Sequence, residues 1–179
     1  MSDPAGPGAG TGAADHEALR ALSVGYATAV DALDGDGFAA LFTEDGELWV
    51  PDVSTGTEPT ICRSGHEALV RIPSGLARYH VTHHRVGPAV LTVDGDSATA
   101  EVAGVAHHVT ATGPATGPAD GTGDGPADGP GGGPGTDTVW FLVYRDHYRR
   151  GPGGWRIARR ALHLRWVEER PLDHVGPPR

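Results

Sequence analysis

Apolar residues recur at three- and four-residue spacing between residues 15 and 34. Leu19, Leu22, Tyr26, Ala29, Val30 and Leu33 fall on one stripe, which predicts an amphipathic helix. Asp15 is placed to cap its start, and Asp34-Gly35-Asp36-Gly37 stops it. A short second helix is expected over Phe38 to Phe42. Gly46-Glu47-Leu48-Trp49-Val50 then alternates as a strand that Pro51 ends, and residues 52–62 read as loop. A third helix is expected from Gly65 to Ile72, cut short by Pro73. Beyond Tyr79 the pattern changes to a period of two. Tyr79 to Val93 and Ser97 to Thr110 form one predicted hairpin, turning at Asp94-Gly95-Asp96. Thr138 to Arg150 and Trp155 to Val167 form another, through Gly151-Pro152-Gly153-Gly154. Helices first and long antiparallel strands afterwards define an α+β domain. A sheet of such strands that curls over the packed helices leaves a cavity between them.

Composition refines this picture. The 179 residues fit one domain, expected at residues 15–168, with tails at 1–14 and 169–179. Ten of the 28 glycines and 5 of the 15 prolines lie between Gly113 and Gly135, where no apolar side chain exceeds alanine. A disordered hairpin insertion at 113–136 is therefore expected. The net charge of −9 argues against nucleic acid as a partner. No apolar run approaches the ~20 residues of a membrane span, and the first residues lack the features of a signal peptide. A cytoplasmic location is the expectation. The single cysteine, Cys62, excludes an internal disulfide.

The candidate chemistry lies in two short segments. Asp31 ends the first predicted helix, and His80 opens the strand region with Thr82, His83 and His84 close behind. A carboxylate beside an imidazole fixes its tautomer and raises its basicity, which makes a proton-transfer unit near neutral pH. The bland alternatives are a solvated Asp31 beside a turn and a structural His80. Alternation puts His80, Thr82, His84 and Val86 on one face and Tyr79, Val81, His83 and Arg85 on the other. The histidines therefore do not converge, and no metal or other cofactor is expected. The small-residue face Ala98, Ala100, Val102, Gly104 and Ala106 continues to His108, which should look inward. Trp49, Phe141, Trp140, Tyr144 and Tyr26 could wall an apolar pocket. Arg145, Arg149, Arg159 and Arg160 are expected at the surface.

Several phrases carry a family resemblance: Tyr26 to Asp34 with Phe38 to Asp45, Gly65-His66-Glu67-Ala68, Tyr79-His80-Val81-Thr82, Val93 to Ala100, and Gly154-Trp155-Arg156-Ile157-Ala158-Arg159-Arg160. Over residues 15–168 the chain resembles the SnoaL-like group of the nuclear transport factor 2 superfamily. The resemblance implies a cone-shaped, curved antiparallel sheet over about three N-terminal helices. The Asp and His placement is similar to the scytalone dehydratase and dehydrochlorinase branch. By that match Asp31 orients His80 as general base; Tyr26, one helical turn away, is a candidate hydrogen-bond donor to the substrate oxygen. Trp49, His108, Phe141 and Tyr144 are the substrate-binding candidates. The chain departs from that branch at Val30, where dehydratases often have Tyr, at Val102, where they place a further His, and at His83. The implied function is a cofactor-independent lyase or cyclase acting on a small apolar or aromatic, polyketide-like substrate in a closed pocket. Self-association as a homodimer or homotrimer through the outer sheet face is also implied. The rival reading is a non-catalytic binding or assembly module of the same fold.

Overall fold

The computed structural model describes residues 9–111 and 133–176. The expected Gly/Pro insertion lies almost wholly outside them. Helix α1 spans Ala9–Asp31, α2 Gly35–Ala39 and α3 His66–Val70, followed by a 3-10 turn at Pro73–Arg78. Six strands follow the order β1 Phe42–Pro51, β2 Pro59–Ser64, β3 Val81–Asp94, β4 Ser97–Ala111, β5 Gly135–Gly151 and β6 Gly154–Leu172. They form one curved, unclosed sheet in the order β2-β1-β6-β5-β4-β3. Neighbours run antiparallel, apart from the parallel β1–β6 pair. The α+β expectation therefore holds.

The details differ in instructive ways. Helix α1 begins at Ala9, within the expected tail, so Asp15 is not its cap. The Asp15 carboxylate instead accepts hydrogen bonds from Trp155 Nε1 and Arg150 Nη2, both 2.9 Å, which ties the helix to the β5–β6 hairpin. The second helix lies earlier than expected: Asp34 caps it by accepting from the Gly37 N–H at 2.9 Å. Phe42 opens β1 rather than closing a helix. The expected loop at 52–62 contains β2, because Ile61 and Cys62 pair with Val50 and Trp49. β6 runs on to Leu172, into the expected C-terminal tail.

The core lies between α1 and the concave face of the sheet. Leu19, Leu22, Tyr26, Ala29 and Val30 are buried on the helix, as their spacing requires. They meet Ala98, Ala100, Val102 and Ala106 of β4, and Leu142, Tyr144 and Tyr148 of β5. Curvature comes from bulges. One lies between Val86 and Ala89 of edge strand β3, where Gly87-Pro88 interrupts the ladder. Two more distort the β5–β6 register, at Phe141/Leu142 and His147/Tyr148.

The bulge at His147/Tyr148 resets which residues of β6 face inward. Ile157 and Arg160 are both fully buried, three residues apart rather than two. Arg160, expected at the surface, is thus in the core. Its Nε and Nη2 donate to the two Asp146 carboxylate oxygens at 2.8 and 2.6 Å, and Nη2 also donates to Ser23 Oγ of α1 at 3.0 Å. The guanidinium lies 4.3 Å from the Tyr26 ring centroid and 4.5 Å from that of Tyr144. Removing one member of such a pair strands a buried charge. Arg160→Met is expected to lower stability by about 3–5 kcal/mol, read as a fall in the urea midpoint. The double variant Arg160→Met/Asp146→Leu should regain most of that loss, since neither charge then remains buried.

Candidate active site

Asp31 is the last residue of α1. The helix ends there because Leu33 adopts a left-handed conformation, φ 56°. The Leu33 N–H then bonds the Val30 carbonyl at 3.3 Å and the Asp34 N–H bonds that of Ala29 at 2.9 Å. This closing motif usually carries glycine at the left-handed position. It leaves the Asp31 side chain directed at β3.

On β3 the carboxylate meets three donors. Thr82 Oγ1 donates to Oδ1 at 2.8 Å, the His84 backbone N–H donates to Oδ2 at 2.6 Å, and His84 Nδ1 lies 2.7 Å from Oδ1. The partner is therefore His84, not His80. Strand β3 starts at Val81, and His80 stands just before it, its N–H donating to the Val109 carbonyl of β4 at 2.8 Å. The His80 ring turns instead to the Gly176 carbonyl, with Nε2 at 2.6 Å. Thr82 and His84 share the inward face, as alternation requires, and bracket the Asp31 carboxylate between them. His83 points outward and is 68% exposed, with Nδ1 still 4.0 Å from Asp31 Oδ2.

Burial alone would raise the Asp31 pKa. The ring and backbone hydrogen bonds from His84, its charge and the Thr82 hydroxyl outweigh that and bring the carboxyl down to about 2, against an ordinary 3.8. Asp31 is thus an anion at every physiological pH. Because an anion only accepts, His84 presents a protonated Nδ1 to Asp31, and Nε2 is the ring nitrogen that Asp31 does not engage.

A cavity of about 320 Å³ lies on the other side of that ring. His84 lines it and Asp31 does not, so Nε2 is the nitrogen on the cavity side. Aliphatic side chains from α1, β1, β2 and the 3-10 turn make most of the wall, among them Val30, Leu48, Ile61 and Leu76. Tyr26 and Tyr144 form part of it, backed by the Arg160 guanidinium. Gly104 makes room for Tyr144: a Cβ there would come within 2.5 Å of its ring. Burial raises both phenols, Tyr26 to about 12, so both are neutral hydroxyls. His108 faces the cavity against Trp140, ring centroids 5.0 Å apart, and stands edge-on to His84 at 5.6 Å. Burial, reinforced by the charge of His84, pushes His108 down to about 4. It is neutral at pH 7. Its Nδ1, 3.3 Å from the Thr138 carbonyl, is the protonated one, which leaves Nε2 as acceptor.

Two expected wall residues lie elsewhere. Leu48 and Val50 of β1 line the cavity, so alternation turns Trp49 to the other face. There its Nε1 donates to Glu47 at 2.8 Å and Arg159 covers its ring. Phe141 faces outward between Trp140 and Leu142, stacked on Trp166 with centroids 4.4 Å apart. Among the described residues, no group of three or more His, Cys, Asp or Glu could hold a metal ion. Among the same residues, no helix is long and apolar enough to cross a membrane.

A curved sheet over helices, with a largely apolar cavity between them and an Asp–His pair at its wall, defines a cone-shaped α+β protein. The sequence matches the SnoaL-like domain over residues 12–161, and the chain belongs to that family. No protein of curated function matches it. Solved structures share the fold. An NTF2-like protein with a cystatin-like fold from Novosphingobium aromaticivorans is 26% identical over 84% of this chain and 82% of its own, with a TM-score of 0.55. A putative scytalone dehydratase from the same organism is 19% identical over 93% and 95%, TM-score 0.64. A type 2 hexachlorocyclohexane dehydrochlorinase, LinA, is 17% identical over 92% and 97%, TM-score 0.65.

The ionised carboxylate predicts a stability change in acid. Asp31 has a folded pKa below its unfolded value, so its contribution is present above about pH 4 and is lost as the pH falls toward 2. The shift corresponds to about 2 kcal/mol. Urea titrations of wild type and Asp31→Asn should differ most above pH 4 and converge near pH 2. A gap that stays constant over this range would show that the carboxylate charge is not its source.

Proposed function

We propose that this protein is a cofactor-independent lyase or cyclase in which His84, oriented by Asp31, removes a proton from carbon next to a carbonyl. The observation that carries this reading is the 2.7 Å Asp31–His84 contact, with the same imidazole lining an apolar cavity. The base first assigned by resemblance, His80, gives way to His84.

In an elimination the C–H proton passes to His84 Nε2. The C–H electron pair becomes the new double bond while the bond to the hydroxyl breaks. The proton on the imidazolium then completes the departing water, and the ring returns to its starting state. Asp31 stabilises the transient imidazolium, a stronger effect where water is excluded. His108 Nε2 accepts a hydrogen bond from a substrate hydroxyl, and the Tyr26 and Tyr144 phenols, neutral at working pH, donate to a carbonyl oxygen. Ring closure begins with the same proton abstraction and ends in a carbon–carbon bond instead. The aromatic and aliphatic wall favours a small, mostly apolar or aromatic substrate. The dehydratase and dehydrochlorinase among the structural neighbours support the lyase class through the shared fold. Self-association is assigned to the outer sheet face, where Trp166 stays 51% exposed and Val90 76% exposed.

The test uses bicyclic aromatic β-hydroxy ketones, whose dehydration to conjugated enones is read by absorbance, together with deuterium exchange at the carbon next to the carbonyl. Wild type should catalyse exchange or elimination. His84→Ala should lower the rate about 10²–10⁴-fold, and Asp31→Asn should fall in the same direction, while His80→Ala stays within a few-fold of wild type. Ligand binding without exchange in the wild type would favour a non-catalytic binding module.

A further inference from the structure

We propose that Arg78 selects substrates carrying a carboxylate, by pairing with it at the cavity mouth while the apolar part of the molecule reaches His84. The inference rests on the acid–base reading for where the reaction occurs, and on the rim itself for the ligand's charge.

Arg78 ends the 3-10 turn that precedes β3, and its side chain lines the cavity. Among the described residues it is the only Arg that does so, in a chain of net charge −9. Among the described residues it has no carboxylate within ion-pairing distance. Most other arginines near a wall or hairpin are committed: Arg149 to Asp45, Arg150 to Asp15 and Asp96, Arg160 to Asp146.

The Arg78 head group is nevertheless held in place. Nη1 donates to the Gly75 carbonyl at 3.2 Å and Nη2 to the Tyr79 hydroxyl at 3.1 Å, and the guanidinium carbon lies 4.7 Å from the Tyr79 ring centroid. Tyr79 packs in turn on His108, centroids 4.9 Å apart. Two of its five N–H groups are used, so a planar fork of donors remains for a planar anion. Its charge also reaches inward, being among the influences that keep His108 neutral. The acid on the same rim, Asp52, stays an anion but is turned to its own loop, where its Oδ1 accepts the Ser54 N–H at 3.0 Å and the Ser54 hydroxyl at 2.6 Å. One side of the mouth therefore offers a cation with no carboxylate partner among the described residues, and most of the deeper wall is apolar. An amphipathic acid fits that gradient: a carboxylate at the rim and an apolar or aromatic body inside.

The experiment compares two probes of one ring system, 2-naphthoate and the neutral 2-acetylnaphthalene, by titration calorimetry at low salt. Wild type should bind 2-naphthoate about tenfold or more tightly than the ketone, the size of one charge-assisted pair. Arg78→Gln should abolish that preference with ketone affinity unchanged, Arg78→Lys should keep part of it, and added salt should weaken it. His84→Ala should keep the preference whole, so failure of the catalytic reading leaves this result intact. Equal affinity for the two probes, no naphthoate binding at millimolar concentration, or an undiminished preference in Arg78→Gln would overturn the proposal.

Discussion

The buried pair between Arg160 and Asp146 organises this molecule. Both side chains are fully buried, and their fork-to-carboxylate geometry is completed by the Tyr148 hydroxyl, which donates to Asp146 Oδ2 at 2.6 Å. The same guanidinium donates to Ser23 of α1 and lies against Tyr26 and Tyr144. One cation thus links helix, β5 and β6. Burying a pair of charges gains little net stability, but the geometry that satisfies it is narrow. Sliding α1 along the sheet would cost Arg160 its Ser23 and Tyr26 partners. That constraint sets the depth at which α1 ends, and so where Asp31 meets β3.

The end of α1 is an awkward place for an anion. A helix C-terminus carries partial negative charge, and a carboxylate in its last turn is disfavoured. Leu33 adds backbone strain through its positive φ. Both costs are offset at β3, where Thr82 and His84 supply three donors to one carboxylate. Local rules broken at one residue and repaid by a distant partner are the usual mark of a functional position.

Much of this was legible from residue pattern. The α1 stripe, the four long strands and the inward orientation of His108 follow from periods of 3.6 and 2. Asp31 was identifiable by its place at a helix end. The histidine was not, because the choice between His80 and His84 depends on where each ring turns. Both lie on one face by parity, and the first is lost to the site because its ring turns to the Gly176 carbonyl. Parity did contain the answer for Trp49 and Phe141, since Leu48, Val50, Trp140 and Leu142 claim the inner face. It could not reveal Arg160, because a bulge that resets alternation leaves no mark in Ile157-Ala158-Arg159-Arg160. β2 was hidden by its shortness and its proline-bounded, polar surroundings.

The fold holds two aspartates in similar settings, each gripping a basic partner through paired short contacts. They serve different ends because the partners differ. Arginine keeps its proton at any working pH, so the Asp146 pair can only be structural, and its burial is complete. Histidine exchanges its proton near neutrality, and the Asp31 pair stands at a cavity wall with one ring nitrogen left over. The first pair neutralises itself and therefore places no net charge behind the cavity. The His84 ring instead has an anion, Asp31, 2.7 Å from its Nδ1, and its charge also bears on His108. The Arg160 pair is thus the structural one, held by Nε and Nη2 while its buried Nη1 has no hydrogen-bond partner among the described residues.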